Sequence, residues 1–405
     1  MGCVMRPTPM AEPILSVRDL HTHFFSDEGV VRAVDGASFD LFPGQTLGIV
    51  GESGCGKSVT ARSILRIVER PGRIVSGEII LRRADGRESD LVKLPADGAE
   101  MRAIRGGEIG LVFQEPMSSL SAFHSVGNQL IEAIRLHAPL SKRAARARAI
   151  ELLAMVGIPR PAQRVDAYSF ELSGGLRQRV MVALALAAEP RILIADEPTT
   201  ALDVTTQAQI LDLIRRLQRE RELAVILITH DMGVIAEMTD DVVVMYLGHE
   251  VEKGPVDAIF HAPRHPYTQS LLQSIPSVLA EPRARLATIA GSIPHPYARP
   301  SGCPFHPRCH EYIAGVCEKS FPAEVAVADR HDVACHRVIR EIGEAREARE
   351  ASEASEARES REAGEFSPSP CGRGLGGGGV ASTATPPSPQ PPPARGGGAS
   401  AVNPP

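Results

Sequence analysis

An apolar run, Thr46-Leu47-Gly48-Ile49-Val50, passes directly into Gly51-Glu52-Ser53-Gly54-Cys55-Gly56-Lys57-Ser58. The loop matches G-x-x-x-x-G-K-S, and a helix is expected after it, from Lys57 to about Val68. A strand, a glycine loop and a helix in this order commit the region to an α/β fold. The glycines let backbone N–H groups wrap a phosphate chain, Lys57 neutralises β/γ oxygens, and the Ser58 hydroxyl can ligate Mg²⁺. Val59 completes the nucleotide-binding run, with ATP as the expected ligand. Cys55 fills a variable slot and reads as filler rather than as a redox switch.

A second anion-seeking segment, Leu172-Ser173-Gly174-Gly175-Leu176-Arg177-Gln178, lies about twenty residues before an acidic strand end. A Ser-Gly-Gly turn opening a helix presents N–H groups, a hydroxyl and a positive dipole end. One nucleotide needs one glycine loop, so Ser173–Gly175 is expected to serve a nucleotide held by another subunit. Ile192-Leu193-Ile194-Ala195-Asp196-Glu197 is an apolar strand ending in two carboxylates. Asp196 is placed to hold Mg²⁺ and Glu197 to polarise an attacking water. Gln114, after the strand Ile109–Phe113, can touch both the metal and the water. His230 ends a strand where it can reach the γ-phosphate, and Asp203 otherwise reads as a helix cap.

Taken in order, the glycine loop, Gln114, the Leu-Ser-Gly-Gly segment, Asp196-Glu197, Asp203 and His230 resemble the nucleotide-binding subunit of an ABC transporter. The resemblance covers roughly residues 12–340. It implies a fully competent site with Glu197, His230, Gln114 and Lys57 in catalysis. It also implies an adenine-stacking aromatic at Phe24, with Phe25 the other candidate. Gln114–Leu120, Asp203–Ile210, His265-Pro266-Tyr267-Thr268 and Gly302–Cys309 resemble the oligopeptide/dipeptide/nickel importer branch. That likeness implies two permease subunits, a separate substrate-binding protein and a different, homologous ATPase partner. It also places the chain peripherally, on the cytoplasmic face of the inner membrane. The expected function is ATP-driven peptide import, with nickel or glutathione as the alternative cargo.

Cys303, Cys309, Cys317 and Cys335 are spaced C-x5-C-x7-C-x17-C, whereas Cys3, Cys55 and Cys371 are scattered. Clustered cysteines in a reducing compartment read as a metal site before they read as disulfides. Four thiolates suit a 4Fe–4S cluster or tetrahedral zinc; the family resemblance favours the cluster.

The expected architecture is a phosphate-loop α/β core with an antiparallel β subdomain and an all-helical insertion at about 120–190. Residues 12–262 form the ATPase domain, 263–340 a small loop-rich metal-binding extension, and 343–405 a low-complexity tail. Glu344–Glu365 can form a solvated helix, whereas the Pro/Gly/Ser-rich remainder cannot bury enough surface to fold, a read-through extension being one origin for it. A start at Met10 rather than Met1 is expected, because Met1-Gly2-Cys3 lacks the flanks of a lipidation signal. The net charge of −5 gives no attraction to nucleic acid. A soluble cassette ATPase of DNA or ribosomes would need a long coiled coil or a second cassette, which the sequence lacks. A redox enzyme or sensor built around the cysteines would need an electron route or an exposed cysteine pair, and the sequence shows neither.

Overall fold

The computed structural model describes residues 12–115, 119–200, 202–275 and 289–364, with side chains as far as Glu353. The readings on Met1, Cys3, Met10, Cys371, Pro116–Ser118, Ala201 and the tail beyond Gly364 lie outside the described residues. Two units are distinguished, Met1–Arg346 and Glu347–Pro405.

In the first unit, two sheets share one core. β1 (Leu15–Ser26) pairs with β2 (Gly29–Leu41) across a tight turn and with β4 (Gly72–Arg82), which in turn pairs with β5 (Glu88–Asp90). This sheet is antiparallel throughout, as the alternating runs before Thr46 led one to expect. The second sheet has the order β11-β12-β10-β9-β3-β8-β7-β6. Its parallel half comprises β3 (Thr46–Val50), β6 (Ile109–Val112), β7 (Ile192–Asp196), β8 (Ala224–Ile228) and β9 (Asp241–Tyr246). β3, β7 and β8 are buried at every position, which is why their sequences are continuous apolar runs.

Between the two sheets, Leu15, Val17, Phe39 and Ile79 meet Ile49, Ile194 and Ile226, with Ile64 of the helix Lys57–Ile64. On the other side of the parallel strands, Leu193 and Leu227 pack with Leu130, Leu152, Leu153 and Val180 of the helices Val126–His137, Lys142–Met155 and Gly174–Ala185. Those helices are the expected insertion.

Three boundaries differ from expectation. The helix after the glycine loop stops at Ile64 because Arg66 takes a left-handed conformation (φ 56°) and turns the chain. The amphipathic pattern predicts a crossover helix over Gln207–Glu222; it begins at Val204, since the Asp203 carboxylate accepts the Thr206 N–H at 3.0 Å and caps it there. The helix expected from Glu344 begins at His336.

The C-terminal extension is also less loop-rich than its sequence suggested. β11 (Glu324–Ala328) pairs with β12 (His331–Ala334), and β12 pairs with β10 (His249–Pro255). The extension therefore lengthens the main sheet and covers what would be an open strand edge. Val325 and Val327 pack on Val333, Cys335 and Val338, and Phe305 joins the core formed by Val50, Tyr246 and Tyr267.

Candidate nucleotide-binding site

Gly51 and Gly56 have φ of 149° and 108°, and a Cβ on either would lie 2.2 Å from a backbone oxygen, of Met245 and Ala33 respectively. Only glycine lets the loop close against these two carbonyls. Lys57 is buried, and its ammonium donates to the Gly51 carbonyl at 2.6 Å and the Glu52 carbonyl at 3.1 Å. Ser53 and Gly54 are exposed at the tip, while Cys55 and Gly56 are buried beneath it. Burial raises the Cys55 thiol above its ordinary pKa, against the opposing pull of Lys57, so the thiol stays protonated. Val59 packs against the core between the sheets.

At the end of β7, Asp196 accepts the Ser58 hydroxyl at 2.9 Å. Burial pushes the Asp196 carboxyl above the usual range, partly opposed by that hydrogen bond. The two groups read as Mg²⁺ ligands thus face each other, and a cation there would relieve the cost of burying the carboxylate. Glu197 follows with φ 46°, an uncommon conformation for a residue with a side chain, and it is 91% buried.

Three donors surround the Glu197 carboxylate. Gln114 Nε2 donates to Oε2 at 2.9 Å, the Thr200 hydroxyl to the same oxygen at 2.8 Å, and His230 Nδ1 lies 3.2 Å from Oε1. Burial would raise its pKa, but the bonds from Thr200 and His230 outweigh that and leave it below the ordinary value. The carboxylate is therefore ionised and fixed in direction. Gln114, Asp196, Glu197 and His230, read separately from the sequence, meet at one place. Thr200 was missed; its position in the strand-end turn after Glu197 was its only signal.

Other expected residues are placed elsewhere. Ser173 and Gly174 are exposed at the start of their helix, and a Cβ on Gly175 would strike the Thr206 methyl at 2.5 Å. Among the described residues no hydrogen bond links this turn to Gly51–Ser58. Leu172 and Gln178 are 4% and 1% exposed, so their side chains pack in the helical core. Asp203 is spent on its cap, accepting both the N–H and the hydroxyl of Thr206. Phe24 packs over Gly72, where a Cβ would lie 2.6 Å from the ring, while Phe25 is covered by the Arg73 guanidinium 4.3 Å from its centroid.

Of the four clustered cysteines, Cys303, Cys317 and Cys335 are buried and Cys309 is half-buried, and the Cys303 N–H donates to the Cys317 carbonyl at 2.8 Å. Burial foremost, with the neighbouring thiols adding to it, pushes Cys303 up to about 12 and Cys309 up to about 11.

Such a site defines a phosphate-loop ATPase whose glycine loop and two strand-end acids lie on one sheet, while the Ser-Gly-Gly turn stands apart on a helical layer. The ABC transporter family model matches residues 34–200, and the model for the oligopeptide/dipeptide transporter C-terminal region matches residues 251–317. The dipeptide transport ATP-binding protein DppD of Bacillus subtilis is 46% identical over 325 residues, covering 80% of this chain and 94% of that protein. DppD of Escherichia coli is 44% identical over 330 residues, 82% and 98% of the respective chains. A putative peptide import ATP-binding protein of Brucella abortus is 50% identical over 310 residues, 76% and 91% of the two chains. Among solved structures, a dimeric bacterial ABC transporter cassette, MJ0796, superimposes with a TM-score of 0.52 at 27% identity, covering 60% of this chain and 98% of that one. The same cassette is also known in a post-hydrolysis state bound to ADP and phosphate, again at a TM-score of 0.52. The chain belongs to the ABC transporter ATP-binding subunits, in the oligopeptide/dipeptide branch. It is an ATP-hydrolysing cassette.

Proposed function

We propose that this chain is the ATPase subunit of a peptide importer, and that its active site is one half of a pair. The observation that carries the reading is the convergence of Gln114, Thr200 and His230 on Glu197, beside the Ser58–Asp196 contact. ATP lies against Gly51–Ser58, with Lys57 on its phosphates and Phe24 against the adenine. Ser58, Asp196 and Gln114 would hold Mg²⁺, which would supply charge neutralisation at the phosphates. Glu197 accepts a proton from water as the water oxygen bonds the γ-phosphorus and the bond to the ADP oxygen breaks. His230 steadies the transferred phosphoryl group.

The Ser173–Gly175 turn serves the nucleotide of a facing subunit, a reading supported by its exposure and by the dimeric state of the MJ0796 cassette. The facing subunit is a homologous ATPase of a different kind. Two permease subunits bind the helical layer, where Phe123, Tyr168 and Phe170 are exposed and Tyr168 stacks on Phe170. The membrane attachment is peripheral, since no helix among the described residues is long and apolar enough to cross a bilayer.

Cys303, Cys309, Cys317 and Cys335 hold a 4Fe–4S cluster that ties the extension together. Tetrahedral zinc on the same four thiolates is the alternative. Purification under argon, with an absorbance scan and metal analysis, tests this: one zinc and no visible absorption refutes the cluster. For the function, the test is co-purification with two polytopic membrane proteins and peptide-stimulated ATP hydrolysis. Association with ribosomes or DNA in their place would overturn it.

A further inference from the structure

We infer that Arg308 and Tyr267, both in the C-terminal region, are positioning residues for ATP, acting through Glu52 of the glycine loop; this rests on the reading that Gly51–Ser58 binds ATP. Glu52 is the second residue of that loop, and each of its polar groups is held. Its N–H donates to the Tyr267 hydroxyl at 2.8 Å. Its carbonyl accepts Lys57 at 3.1 Å. Its carboxylate takes a fork from Arg308, Nη1 to Oε2 at 2.6 Å and Nη2 to Oε1 at 3.1 Å.

Arg308 is itself fixed: its side chain is 4% exposed, Nε donates to the Ala290 carbonyl at 3.0 Å, and Nη1 also reaches the Tyr246 hydroxyl at 3.3 Å. It sits between Cys303 and Cys309. Tyr267 is placed by its own helix, Pro266–Gln273, which His265 caps by accepting the Tyr267 N–H at 3.0 Å. Phe305 packs against both tyrosines, its ring 5.2 Å from Tyr246 and 5.3 Å from Tyr267, while the two tyrosine rings lie 4.7 Å apart. The extension thus supplies two of the groups that hold the phosphate loop, beside the Met245 and Ala33 carbonyls of the cassette.

Two physical consequences follow for nucleotide binding. A loop with three glycines is costly to order, and anchoring Glu52 at both its N–H and its carboxylate orders it before ATP arrives. A carboxylate at the mouth of a phosphate cradle also repels a polyphosphate, and the Arg308 fork cancels that charge. The second effect gives the pair a signature that a merely structural contact lacks. Removing Arg308 alone leaves the Glu52 charge exposed to ATP, whereas removing both charges does not.

The experiment measures the Kd of a fluorescent ATP analogue, and KM and kcat for ATP, in the full chain. Arg308→Gln should weaken binding about tenfold, the scale of a lost charge-assisted fork, with kcat little changed. Tyr267→Phe should weaken it about threefold, as expected for one neutral hydrogen bond. Glu52→Gln combined with Arg308→Gln should recover most of the affinity. Arg330→Gln breaks a different ion pair of the extension, to Asp241 at the far end of β9, and should bind as the unaltered chain does. If the unaltered chain binds no nucleotide, the ATP-site reading itself fails. If it binds and Arg308→Gln and Tyr267→Phe both stay within twofold, the inference is overturned. Equal weakening by Arg330→Gln, or no recovery in the double variant, also overturns it. Should Arg308→Gln fail to fold, Tyr267→Phe decides alone.

Discussion

Glu197→Gln separates chemistry from structure with unusual cleanness in this site. Glu197 Oε2 receives two donors, Gln114 and Thr200, at 2.9 and 2.8 Å, and Oε1 faces His230 Nδ1 at 3.2 Å. A glutamine whose oxygen takes the Oε2 position keeps both donors satisfied. Its NH₂ then faces His230, whose neutral ring can present Nδ1 as acceptor. The hydrogen-bond count is unchanged, so stability should move by no more than about 1 kcal/mol. What is lost is the ability to take a proton, a role worth about 10²- to 10⁴-fold in rate. The assay is phosphate release by the assembled transporter, alongside thermal unfolding and nucleotide affinity of the isolated chain. The expected result is kcat down at least a hundredfold on that scale, with affinity and melting temperature near those of the unaltered chain. A kcat within threefold would remove Glu197 as the base. Glu197→Ala should be worse folded as well as inactive, because it leaves Gln114 and Thr200 without their acceptor.

Three further outcomes are expected. Gly56→Ala drives a methyl to 2.2 Å from the Ala33 carbonyl at φ 108°, and should both lower the melting temperature and abolish nucleotide binding; a variant that binds normally would contradict the loop geometry. His265 is fully buried, and burial foremost depresses its pKa to about 4 while its Nδ1 accepts an N–H. Its folded pKa lies below the ordinary 6.5, so its contribution is complete above pH 6.5 and is lost as pH falls toward 4, about 3 kcal/mol in all. His265→Asn, measured by denaturant unfolding at a series of pH values, should show a correspondingly shallower loss across that window, and an unchanged slope would count against it. Cys317→Ser, prepared under argon, should lose the visible absorption expected of the proposed cluster and melt at a lower temperature; a variant with neither change would remove Cys317 from the site.

Much of the molecule was legible because its signals are local. The Gly51–Ser58 loop, the apolar runs of β3, β7 and β8 and the carboxylates ending β7 each declare themselves within a few neighbouring residues. Asp196, Glu197, Gln114 and His230 came together because each stands at the C-terminal end of a strand or just beyond it, and parallel strands bring those ends to one edge. What stayed hidden is long-range. Arg308 and Glu52 are 256 positions apart, and no periodicity points one at the other. Tyr267 lay within a recognised motif, yet a motif gives no direction for a hydroxyl. Gln178 shows the converse, because a residue inside a phosphate-seeking segment turned into the core. Helix ends were misjudged where a single residue decides them: Arg66 ends one helix early by its left-handed turn, and Asp203, itself legible as a cap, starts another at Val204 ahead of the amphipathic pattern.

The account stands on the claim that Ser173–Gly175 completes a neighbour's site and not this chain's own. Ser173→Arg tests it most directly, with fluorescent-nucleotide affinity measured on the isolated chain and ATP turnover on the assembled transporter. The account predicts unchanged affinity in the isolated chain and turnover reduced to near background in the assembly. Loss of nucleotide binding by the isolated chain, or full turnover in the assembly, would contradict it.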